Sequence, residues 1–204
     1  MTHLVRRGVF VFVAATLSVA RAAAQGTDPR LERLDETTRP VVIAIVDSAR
    51  AAGLPVNPLV ERALEGATKG APAEMIVGAV RRLAAELGRA RDALGPNASA
   101  GELTAGAAAL RAGAGPDVLT RLRRARRHQS VTMALAVLTD LVARGVPVDT
   151  AATAVLALAA TVRDEDLVEF RRAVERDIAI GAPPAAAASI RVNAAAREVR
   201  PGRP

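Results

Sequence analysis

Pro40-Val41-Val42-Ile43-Ala44-Ile45-Val46-Asp47-Ser48-Ala49-Arg50-Ala51-Ala52-Gly53 is the stretch on which the fold turns. Its first seven residues are β-branched enough for a buried strand, but the run continues through Asp47 to Ala52 without a break. That length suits a helix better than a strand, and no second strand offers itself as a partner. A helix ending at Gly53 is therefore expected, and with it an all-α chain.

Pro and Gly divide the residues on either side into segments that begin and end as helices do. Upstream, Asp28-Pro29 opens a short helix through Leu31 and Leu34, inside a linker over residues 25–39. Downstream, Asn57-Pro58 reads as a cap followed by Pro in the first turn. The next helix starts after Pro72 and carries Ile76, Val80, Leu83 and Leu87 on one stripe. Ser99 and Glu102 form a capping box ahead of Leu103 and Leu110. Pro116 starts a helix with Val118, Leu119 and Leu122, and Ser130 caps one with Leu135 and Leu138. Asp149 caps a segment, Ala151 to Ala160, so apolar all round that it should be central. The last expected helix follows Asp164, with Leu167, Phe170, Val174 and Ile178 facing one way. From residue 181 on, larger apolar side chains are few and Arg recurs, which predicts a flexible basic tail over 181–204.

The phrase Gly53-Leu54-Pro55-Val56-Asn57 returns as Gly145-Val146-Pro147-Val148-Asp149, and Glu74-Met75-Ile76 falls on Asp166-Leu167-Val168 at the same offset. Ala109-Leu110-Arg111-Ala112 against Ala63-Leu64-Glu65-Gly66 gives about half that offset, a period near 46 residues of the size used by helical arrays. On these phrases the segment 40–180 resembles the armadillo and HEAT class of α-helical repeats. The resemblance implies short helices stacked as a small α-solenoid-like domain, in which neighbours share a core that no single pair could close. The alternative is a compact Ala-rich helical bundle.

Composition narrows the chemistry. Among 204 residues there is no Cys, Trp or Tyr, and of three Phe only Phe170 lies beyond the first dozen residues. Base-stacking platforms and aromatic cages need flat π faces. Thiolate nucleophiles, Cys-ligated zinc and iron–sulfur clusters need cysteine. Met1 to Ala24 has a basic start at Arg6-Arg7, an apolar stretch and small residues at Ala22-Ala23-Ala24, the layout of a cleavable signal peptide. Cleavage after Ala24 removes three arginines and no acid, taking the formal charge from +7 to +4. Export to the periplasm or extracellular space is the expectation. The partner is then another envelope protein or an anionic surface, not nucleic acid, with no membrane span left after cleavage and no evident small-molecule substrate.

The densest charge is Arg121, Arg123, Arg124, Arg126, Arg127 and His128. Arg grips phosphate and carboxylate with two prongs, so Arg121, Arg123, Arg124, Arg127 and His128 are the candidate residues for an anionic partner; the plainer reading is a solvated helix end. His128 is the only histidine left after cleavage, which leaves no two-histidine metal site. Asp164, Glu165 and Asp166 lack the alternate spacing and Gly of a calcium loop and suit a first helical turn. Lys69, the only lysine, lacks a phosphate-loop context. No catalytic, cofactor or metal-binding residue is assigned. The expected function is a non-enzymatic interaction or scaffolding protein. The alternatives are an envelope hydrolase using Glu74, Asp140 or Glu169, and recruitment to an anionic membrane or cell-wall surface through the Arg cluster.

Overall fold

The computed structural model describes residues 28–198. Pro29–Arg33 forms a 3-10 turn, and nine α-helices follow among the described residues. They are α1 (Thr38–Ala51), α2 (Asn57–Thr68), α3 (Ala73–Leu94), α4 (Ala100–Arg111), α5 (Pro116–Ala125), α6 (Thr132–Ala143), α7 (Val148–Ala159), α8 (Asp164–Ala179) and α9 (Pro184–Glu198). The described residues contain no strand, and the protein is all-α. The expected signal peptide, 1–24, lies outside the described residues. No described helix is long and apolar enough to cross a membrane.

The run from Pro40 is helical because its buried positions recur at helical spacing. Val42, Val46 and Ala49 are buried, while Ile43 and Ile45 lie half-buried against the same core. The two copies of the Gly-x-Pro-Val phrase do the same job. Gly53 and Gly145 adopt positive φ, +71° and +87°, which an L side chain resists. Each lets the chain turn back onto its helix: Leu54 N–H donates to the Ala49 carbonyl at 2.9 Å, and Val146 N–H to that of Leu141 at 3.0 Å. The same pair of closing bonds ends α2, α4 and α8. Pro then follows within two or three residues of each such glycine, where it cannot prolong the helix just closed.

These turns fold the chain into two rows. The odd-numbered helices stack in the order α1, α3, α5, α7, α9; α4, α6 and α8 form the second row, with α2 lying against α3. The rows meet through α3 with α4, α6 with α7 and α8 with α9, over one continuous core running from Leu31 to Ala188. Packing each helix on its second neighbour is how stacked helical units share a core. The expected fixed period near 46 residues is not kept. The turn glycines 70, 113, 145 and 181 are unequally spaced, because α3 has 22 residues where α5 has 10.

The expected flexible tail is corrected over residues 184–198, which form α9 and dock on α7 and α8. Ala187 and Ala188 are buried, and Arg191 Nε and Nη2 each donate to Asp177 at 2.7 Å. Alanines bury little area each, but they permit close helix approach, and a two-pronged ion pair fixes the helix besides. Residues 199–204 lie outside the described residues.

Candidate functional site

The Arg cluster does not sit on one helix. α5 ends at Ala125, so Arg126, Arg127 and His128 occupy the turn that follows. Arg126 is only 4% exposed: Nε and Nη2 donate to Gln129 Oε1 at 3.1 and 2.9 Å, and Nη1 lies 2.7 Å from Asp164 Oδ1. It ties the end of α5 to the start of α8. Arg123 donates to Glu102 of α4 and to the Gln129 carbonyl. Arg121, Arg124, Arg127 and His128 remain exposed and form no ion pair with any described residue.

Glu102 organises the middle of the stack. Its side chain accepts from Ser99 N–H at 2.9 Å while Ser99 Oγ accepts from Glu102 N–H at 3.2 Å, the capping box expected from the sequence. Burial pushes this carboxyl up, but the N–H groups of Ser99 and Val131 and the Arg123 guanidinium outweigh it and hold the pKa at about 2. A carboxylate so firmly ionised fixes structure.

Two concavities follow from these elements. The first is a groove of about 830 Å³ bounded by the start of α2, the outer face of α4 and that of α6. Its floor is small: Ala100, Thr104 and Ala108 recur at four-residue spacing on α4, and Thr132, Ala136 and Thr139 line α6. It lies where α2 is packed on α3 instead of continuing the row of α4, α6 and α8. Glu61 and Asp140 are the only charged residues lining it among the described residues, both acidic. The second is a cup of about 370 Å³ between the ends of α5 and α7, lined by Arg124, Arg126, Arg127 and His128 on one side and Arg163 on the other.

The acids of the hydrolase alternative are not brought into one cleft. Glu74 is exposed on the first turn of α3. Asp140 lines the groove and lies 2.7 Å from Arg171 Nη1, and Glu169 accepts from Arg172 at 2.7 Å beside Phe170. Asp164, Glu165 and Asp166 occupy the first turn of α8, where carboxylates suit the helix dipole. Lys69 pairs with Glu65 at 2.6 Å. No group of three or more metal-ligating side chains occurs among the described residues.

The sequence leads one to expect a groove between adjacent helices lined by Ala and Leu, but not its place at α2, α4 and α6, nor the part Arg163 takes in the cup. The small-residue spacing on α4 was readable, but which helix would leave it uncovered depends on where α2 packs. No family model, curated protein or solved structure matches the chain.

Proposed function

We propose that the protein is a non-catalytic interaction module of the cell envelope, exported by its first 24 residues, that holds a segment of another exported protein in the groove between α2, α4 and α6. The observation that carries this reading is the break in the second row: α4 and α6 present a stripe of Ala and Thr that no helix among the described residues covers. Side chains this short let a bound backbone approach closely, as small residues do wherever helices pack tightly. Glu61, which forms no ion pair among the described residues, biases the groove toward a partner segment of aliphatic side chains flanked by Lys or Arg, even though the chain as a whole is basic; Asp140 is already paired with Arg171. Mature export partners, rather than nucleic acid, fit a chain with almost no aromatic side chains.

Selection from a random peptide library displayed on phage tests the reading. Thr104 is exposed on the groove floor, so Thr104→Trp fills the groove without touching the core. Enrichment of basic-flanked aliphatic peptides on the wild type, with binding lost on Thr104→Trp, is the expected result. No enrichment, or peptides that bind both proteins equally, overturns it.

A further inference from the structure

We propose that the cup between the ends of α5 and α7 is a binding site for a phosphate-bearing ligand. It is separate from the groove and does not depend on it. Four arginines and His128 line about 370 Å³, room for a compact oxyanion group with its nearest substituents. The arginines come from two parts of the chain: Arg124, Arg126 and Arg127 from the end of α5 and its turn, Arg163 from the turn between α7 and α8.

Arg126 supplies a fixed wall. Buried, held by Gln129 and paired with Asp164, it stays in place whether or not a ligand is present. Arg124, Arg127 and His128 are exposed and unpaired among the described residues, so their donors are unspent. The carboxylates next to the cup, in the first turn of α8, pair with two of its own arginines, Asp164 with Arg126, and Asp166 with the Arg163 backbone N–H at 3.0 Å and its Nε at 3.8 Å, so the unspent charge of the cup is that of Arg124 and Arg127. Glu165 of the same turn is exposed and adds one negative charge outside the lining. Cations at the C-terminal end of α5 also answer its helix dipole, but that does not account for Arg163, which caps the N-terminus of α8 on the other side of the cup. Planar guanidinium forks match phosphate oxygens two at a time, and several around one pocket select the group by geometry as well as charge.

The phosphate could belong to a free molecule or to a lipid headgroup, and two arms separate these. Titration calorimetry with pyrophosphate tests the first, and flotation with vesicles of phosphatidylglycerol against phosphatidylcholine tests the second, both at about 0.15 M salt so that loose surface attraction is screened. Arg124→Gln with Arg127→Gln removes the exposed prongs while leaving Arg126 intact, and Arg33→Gln is the control on an exposed arginine of the 3-10 turn. Pyrophosphate binding, or flotation specific for phosphatidylglycerol, that weakens about tenfold or more in the double variant and not in Arg33→Gln supports the site and names its source. Absence of binding in both arms, or binding that the double variant retains, overturns it. An equal loss in Arg33→Gln overturns it too, since it reports net charge alone.

Discussion

Val131 N–H donates to Glu102 Oε1 at 3.0 Å, so the carboxylate that caps α4 also satisfies the residue that caps α6. One side chain thereby sets the distance between the two helices that wall the groove.

Glu102→Gln removes the charge that Arg123 and two backbone donors share. The folded pKa of about 2 lies below the ordinary 4.5, so the group adds stability above pH 4.5 and loses it as the pH falls toward 2. Asp28, Glu65 and Asp177 are lowered too, by Arg30, Lys69 and Arg191 respectively. Urea unfolding followed by circular dichroism should show constant stability from pH 7 to 5 and decline below. Glu102→Gln should cost about 2–3 kcal/mol at pH 7 and flatten that decline. A decline unchanged in the variant contradicts the assignment.

Arg126 and Arg127 are adjacent in sequence and opposite in role. Truncating the buried arginine empties its space and removes its bonds to Gln129 and to the half-exposed Asp164, so Arg126→Ala should lower stability by about 1–2 kcal/mol. Arg127→Ala should stay within about 0.5 kcal/mol of wild type. Thermal melts of the two variants, side by side, decide the matter.

Gly106 and Gly88 make a second contrast. A Cβ at Gly106 would meet Ala90 Cβ at 3.0 Å and side chains of Leu94 and Leu119 at 3.2 Å, where α4 crosses α3 and α5 comes near. Gly106→Val should therefore cost about 2 kcal/mol or more through overpacking. Gly88, in the middle of α3, has nothing within 4 Å of such an atom. Gly88→Ala should raise stability by about 0.5–1 kcal/mol through helix propensity. Equal melting temperatures for the two variants would refute this packing.

Helix placement was legible where it depends on near neighbours. The Ser99–Glu102 box, Pro72 before α3, Pro116 as the first residue of α5, and the glycine turns all act within a few residues. Contacts across the fold were not legible. Asn57 does not cap α2: Val56 holds that position, and the Asn57 amide oxygen accepts from Arg30 at 2.9 Å. Burial of Arg126 required knowing that α5 stops at Ala125 and that α8 begins beside it. Residues 184–198 dock although their larger apolar side chains are few, because α7 offers a surface on which the alanines of α9 can lie close, and no local pattern shows that surface.

That docking is itself testable. Ala188 is fully buried, so Ala188→Asp places an unpaired carboxylate in the interface and should lower stability by about 3 kcal/mol. A melt identical to wild type would return residues 184–198 to the status of a tail.

The most direct test of the binding groove is a map of backbone amide chemical shifts as a peptide selected on the wild type is titrated into ¹⁵N-labelled protein. The account predicts that shifts concentrate at Asn57, Thr104, Ala105, Thr132 and Ala136, the lining of the groove. Shifts confined to α5, α7 or α9, or none at saturating peptide, would contradict it.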